Sequence, residues 1–224
     1  MRRNRAEQRE HNRRALLTSA RHLLATQGMS VPVDAIAAAA DLTTGAVYSI
    51  FGSKRDLILA VIEEDVHEHI KDIDRLEQTD AALPGLLDLY AQRTAAVGVG
   101  DDFREAARFE VLLVLLCLDD EFFRRQSLRL QHLQLDALTS LFADRPVSDG
   151  LSQRRVSRDE AKLIASSLLA LSSGFLLRGI PGDRVEPDAM ARACANLVHL
   201  IDDGTAAADP PQRQDTDPGS PSEG

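Results

Sequence analysis

Tryptophan is absent from this 224-residue chain, and it has only two tyrosines, seven phenylalanines and two cysteines. Cys117 and Cys194 each stand alone in an apolar helical pattern. That excludes a disulfide framework and points to a reducing compartment. No β-branched run alternates with polar residues over a strand's length, so no sheet is expected. The most apolar run, Val111 to Leu118, falls far short of the roughly 20 residues that cross a bilayer. The N-terminus is rich in arginine and lacks the apolar core of a signal peptide. These absences predict a cytoplasmic, all-α protein with no membrane partner. Leucine and alanine, both strong helix formers, dominate what remains. At this length the chain can bury a substantial core in one large domain or two small ones.

Catalytic signatures are missing too. The chain has no nucleophile elbow, P-loop, dinucleotide fingerprint or metal-ligand cluster. His67 and His69 lie two apart, so on a helix they point to different faces, unlike a His-Glu-x-x-His pair. No catalytic residue, cofactor or metal is therefore expected. A helical enzyme and a protein-binding adaptor stay open as alternatives at this point.

Net charge is −9, which taken whole disfavours a nucleic-acid partner. Its distribution changes the reading. Residues 1–55 carry nine Lys and Arg against four acids, and the rest carries 17 basic against 31 acidic residues. A basic head on an acidic body suits a DNA-binding module joined to a separate helical domain.

The informative stretch in the head is 31–57. Pro32 fits a helix start, because its missing N–H would be unpaired there anyway. Val33, Ile36, Ala37 and Ala40 then recur at helical spacing. Asp41 tolerates the left-handed geometry of a tight turn. Thr43 is a suitable N-cap for a second short helix from Thr44 to about Ile50. Ala46, Val47 and Ile50 face inward, leaving Thr44, Gly45, Tyr48 and Ser49 outward. That outer face is uncharged, small and hydroxylated. Gly45 costs about 1 kcal/mol relative to alanine inside a helix, and close approach of a partner to the backbone is a reason to keep it. Ser53 with Asp56 three residues on is a capping-box pattern for the next helix, and Lys54 sits where a phosphate can bind.

The pattern Ile36-Ala37, Ala40, Leu42-Thr43, Gly45, Tyr48, Phe51, Ser53-Lys54 and Leu57 resembles the DNA-binding signature of TetR-family transcriptional regulators. It departs from that signature at Asp41, where the family usually has glycine, and at Val31-Pro32, where Ser or Thr is common. The resemblance implies an N-terminal three-helix helix-turn-helix DNA-binding domain plus a C-terminal helical ligand-binding and dimerisation domain. It further implies a homodimeric repressor on a near-palindromic double-stranded operator, released by a small hydrophobic effector. By position in the motif, Thr44, Gly45, Ala46 and Ser49 approach bases, and Thr43, Tyr48 and Lys54 contact phosphates.

Along the chain, residues 1–10 are expected as a flexible basic arm, 11–57 as the DNA-binding domain, 58–203 as the effector-binding and dimerisation domain, and 204–224 as a disordered tail. Leu16, Leu17, Ala20, Leu23 and Leu24 form one face of a helix from about His11 to Gln27. A long helix from Ser53 to about Leu76 belongs to both head and body. Further helices are expected at about 82–97, 102–118, 121–142, 158–178 and 187–201. Between the long helix and the next three, a mostly apolar cavity is expected, with Tyr90, Arg93, Arg108, Cys117, Gln126 and Gln134 as polar candidates. The run 169–178 is similar to the penultimate helix of TetR-family proteins. That likeness implies a dimer interface, with Leu168, Phe175, Cys194 and Leu197 as its candidate residues.

Overall fold

The computed structural model describes residues 2–96, 101–148, 154–180 and 187–202. Ten α-helices and no strand occur among them. The first four are α1 (Arg2–Gln27), α2 (Val33–Ala39), α3 (Thr44–Phe51) and α4 (Lys54–Glu77). They are followed by α5 (Leu83–Ala96), α6 (Asp101–Asp119) and α7 (Glu121–Phe142), then α8 (Arg158–Gly179), α9 (Pro187–Ala195) and α10 (His199–Asp202). The expected all-α class is the observed one. The tail expected at 204–224 lies outside the described residues.

Two expectations about elements change. Residues 2–10, expected as a flexible arm, form the first turns of α1. Good helix formers and local side-chain pairs account for this, with Gln8 donating to Asn12 and Arg14 to Glu10. The last helix, expected as one piece, is interrupted by a 3-10 turn at Asn196–Val198.

Two apolar cores hold the helices. The first gathers Leu16, Leu24, Ile36, Val47 and Leu57, all at most 1% exposed, and also takes in Phe109, Phe123 and Leu130 from α6 and α7. The second gathers Leu83, Leu86 and Leu87 of α5, Leu138 and Phe142 of α7, and Ile164 of α8. α4 serves both: Leu57 to Val66 pack in the first, Ile73 and Leu76 in the second. Arg145, just beyond α7, donates to the carbonyls of Glu77 and Thr79, satisfying orphan acceptors at the C-terminal end of α4. An isolated antiparallel bridge, Pro146 to Arg155, ties the connection into α8.

α8 is the one described helix long and apolar enough to cross a membrane by length and composition, with a mean hydropathy of 1.4 over its apolar window. Its Ala161, Ile164, Ala165 and Leu168 are fully buried against the second core, but only 22% of that apolar window is buried. Ser157 caps it, and Glu160 returns a bond to the Ser157 backbone, a capping box the sequence reading missed.

Candidate nucleic-acid interface and ligand cleft

Pro32 caps α2, and the chain turns at Asp41 with φ of 54°. The left-handed turn expected of Asp41 is thus present. Thr43 then caps α3, its hydroxyl accepting from the Ala46 N–H. Val47 is fully buried and pins α3 to α1, α2 and α4. Thr43, Gly45, Tyr48 and Ser49 are exposed, and Thr44 and Ala46 half-buried. Tyr48, 51% exposed, is the one large apolar side chain of α3 left outside. A Cβ on Gly45 would meet only the Thr43 hydroxyl, at 3.8 Å. Nothing inside the molecule therefore requires glycine there.

α3 ends at Gly52, whose φ of 87° suits glycine. Ser53 caps α4 as expected, but the box is not reciprocal. The Ser53 hydroxyl accepts from the Asp56 N–H and donates to the Asp56 carboxylate at 2.6 Å. Lys54 donates to the Met29 carbonyl at 2.6 Å, so one of its three protons is already committed inside the head.

Much of the positive charge counted in the head is similarly engaged. Arg13 pairs with Glu64, and Arg21 meets both Asp65 oxygens at 3.0 Å and Glu105 at 3.1 Å. Arg55 pairs with Asp120 while lying 4.4 Å from the Phe122 ring centre. The Arg55 bond and the Phe122 N–H hold the Asp120 carboxyl below its ordinary pKa. Burial raises that of Asp65, and Arg21 opposes the shift. The Arg13 and Arg21 pairs join α1 to α4, Arg21–Glu105 joins α1 to α6, and Arg55–Asp120 joins the start of α4 to the cap of α7. Arg5 and Arg9, by contrast, are exposed on α1, and the adjacent Gln8, His11 and Asn12 line a shallow groove with Asp41 and Leu42.

Across the joint lies a cleft of about 2170 Å³ lined by α1 and by α4 through α9. Most of the lining is apolar. Phe103 of α6 rests against Gly179 of α8 so closely that a Cβ there would lie 2.1 Å from the ring.

Residues 16–61 match the family model described as "Bacterial regulatory proteins, tetR family". The N-terminal module is thus similar to that of tetR-family bacterial regulators. Solved structures agree at the level of fold. A transcriptional regulator from Rhodococcus sp. Rha1 superposes with a TM-score of 0.64 at 16% identity, covering 86% of this chain and 96% of that one. A TetR-family transcriptional regulator from Streptomyces coelicolor gives a TM-score of 0.64 at 23% identity, covering 86% and 94%. No curated protein matches the sequence.

Within this TetR-family fold the candidate residues of the body fall into three groups. Tyr90, Arg93, Arg108 and Gln134 line the cleft, as do His69 and Ser172, which sequence reasoning missed. Cys117 and Gln126 do not line it. The Cys117 thiol turns to Ser127 Oγ at 3.3 Å, and it is Ser127 that lines the cleft. The third group holds the interface candidates. Leu168 and Cys194 are 0% exposed and Leu197 8%, all inside the second core of the single chain, and burial pushes the Cys194 thiol up to about 11. Phe175 lines the cleft. Apolar periodicity marked these faces as buried but could not tell packing within one chain from packing between two. The face of α8 that stays exposed carries Leu163, Ser166, Ala170, Ser173 and Leu177.

Proposed function

We propose that this chain is a TetR-family regulator, a homodimeric, sequence-specific DNA-binding repressor released by a small, largely hydrophobic effector. The observation that carries the DNA reading is the outer face of α3. It is a short, capped helix with exposed hydroxyls, no charge, and a glycine no internal contact demands. Such a face fits a major groove, where phosphate contacts set register and a few side chains read base edges. Thr44, Gly45, Ala46 and Ser49 approach bases; Thr43, Tyr48 and the remaining protons of Lys54 meet phosphates. Arg5 and Arg9 supply the long-range charge that the paired arginines do not.

Dimerisation uses the uncovered side of α8, only 22% of whose apolar window is buried in the single chain. A second copy on Leu163 and Leu177, exposed leucines of α8 that do not line the cleft, makes a twofold, self-complementary patch. Two recognition helices then address half-sites about 34–36 Å apart, or a multiple of that. Effector in the cleft displaces α4 and α6, and the Arg21–Asp65, Arg21–Glu105 and Arg55–Asp120 pairs carry that displacement to α1 and α3. By linkage the effector weakens DNA binding only as far as it prefers the DNA-incompetent arrangement.

Selection from a randomised duplex library at low salt tests the reading. It should enrich a near-palindrome bound by a dimer, and the double variant Leu163→Glu/Leu177→Glu should halve the mass seen by light scattering and lose the enriched duplex. A library with no enriched sequence would overturn the DNA reading, and a monomeric wild type at micromolar concentration would overturn the dimer.

A further inference from the structure

Four polar side chains of the cleft wall bond in series. The Gln134 amide nitrogen donates to His69 Nδ1 at 2.9 Å, which leaves the ring proton on Nε2. His69 Nε2 faces the Tyr90 hydroxyl at 3.4 Å, and that hydroxyl faces Ser172 Oγ, also at 3.4 Å. Ser172 closes the series by donating to the Leu168 carbonyl at 2.9 Å. The end bonds are of normal length, but the two at Tyr90 are long. A hydroxyl on a residue only 4% exposed thus meets His69 and Ser172 only at long range, with Thr94 as a further neighbour, where buried polar groups ordinarily hold a strong partner.

We propose that the Tyr90 hydroxyl, between His69 and Ser172, anchors an uncharged, largely apolar effector through a hydroxyl or carbonyl oxygen. The inference rests on reading the cleft as the effector site. A hydroxyl or carbonyl oxygen near Tyr90 replaces two long contacts with one of normal length and leaves the series connected. The surroundings set the rest of the ligand: Ile73, Leu135, Leu169, Phe175 and Met190 line the same cleft.

Charge on the ligand is disfavoured by what faces it. Arg93 is paired with Asp72, and Arg21 with Asp65 and Glu105. Glu68 is paired with Lys71, and Glu110 accepts from Ser173. Arg104 and Arg108 also line the cleft but are exposed, so water screens their charge. Burial lowers the pKa of His69 and raises that of Tyr90, so both are neutral near pH 7. An ionised group beside Tyr90 would lose its water without gaining a counter-charge.

Three compounds of similar size separate the outcomes: 4-octylphenol, octylbenzene and 4-octylbenzoate, each titrated into the full chain by calorimetry at pH 7. The phenol should bind most tightly and the benzoate at least tenfold more weakly. Tyr90→Phe should weaken the phenol about three- to tenfold, the range of one neutral hydrogen bond, and leave octylbenzene unchanged. Ser172→Ala should bind the phenol at least as tightly as wild type, because Tyr90 then has one competitor fewer. Circular dichroism confirms that both variants fold. If all three compounds bind alike and Tyr90→Phe changes nothing, the anchor is wrong while the cleft stands as an apolar site. If none binds, the cleft reading fails and the anchor with it.

Discussion

The head, α1 to α3 with the first turns of α4, and the body behind it spend their apolar residues differently. In the head the small helices α2 and α3 bury only one or two side chains each, but bury them completely: Ile36 and Ala37 in α2, Val47 in α3. What they leave outside is mostly small and polar. The body leaves large apolar side chains half in water, Leu115 at 51% and Leu118 at 70%, and keeps a wide cleft between its helices. The head is built to hold one shape; the body has room to change. α4 belongs to both, so it is the element through which a change in one is felt in the other.

The contrast can be broken most sharply through packing. Leu57→Ala, where α4 enters the head core, should cost about 2–5 kcal/mol in urea unfolding, because a closed core cannot collapse around the void. Leu118→Ala, at an exposed site of the body, should stay within about 0.5 kcal/mol. Similar losses at both positions would erase the difference between the two regions.

The joint comes next in size. Arg21→Ala removes a side chain that meets Asp65 and Glu105 and lies 5.3 Å from the Phe109 ring centre. It leaves Asp65 without its cation, while Glu105 keeps its contact to His22 Nδ1 at 2.8 Å. The Arg21 side chain is one-third exposed, so solvent screening limits the loss to about 1–2 kcal/mol of stability. DNA affinity should become less responsive to any cleft ligand, measured by fluorescence anisotropy with and without 4-octylphenol. An unchanged response would show that coupling runs elsewhere.

A smaller effect lies in the pH dependence of the body. Burial lowers the pKa of His69 in the folded chain. The unfolded chain therefore binds more protons between the folded pKa and about 6.5. The stabilising contribution is present above about pH 6.5 and is lost as pH falls toward the folded pKa. His69→Gln should flatten the fall in melting temperature across that window, and an unaltered slope would contradict a buried, neutral His69.

How much of this was legible in the sequence follows the same division. In the head, local chemistry dictates geometry: Pro32, Asp41, Thr43 and Ser53 each name a backbone conformation or a cap, and the structure uses them so. Helix ends across the body were legible for the same reason, apart from the Ser157–Glu160 box and the 3-10 break before α10. What could not be read was partnership at a distance. Leu168, Cys194 and Leu197 show the same pattern whether the neighbour is the same chain or another. Cys117 and Gln126 lie on helices that border the cleft, but spacing alone does not say which side they face. His69 was weighed as a metal ligand, whereas its companions, Tyr90 and Gln134, arrive from helices 21 and 65 residues away. Counting arginines overstated the free positive charge of the head, because their acidic partners lie in α4, α6 and α7.

The central claim is that the outer face of α3 is shaped for a partner rather than for the fold, and Gly45 isolates it. Gly45→Ala places a methyl group in ordinary contact with the Thr43 hydroxyl, 3.8 Å away, and nothing closer. The variant should be about 0.5–1 kcal/mol more stable to urea, because alanine gives up less conformational freedom in a helix. Its affinity for the duplex selected by the wild type should nevertheless fall at least tenfold in an anisotropy titration at fixed salt. A variant that is more stable and binds as well as wild type would contradict the account, since the glycine would then serve neither the fold nor the DNA.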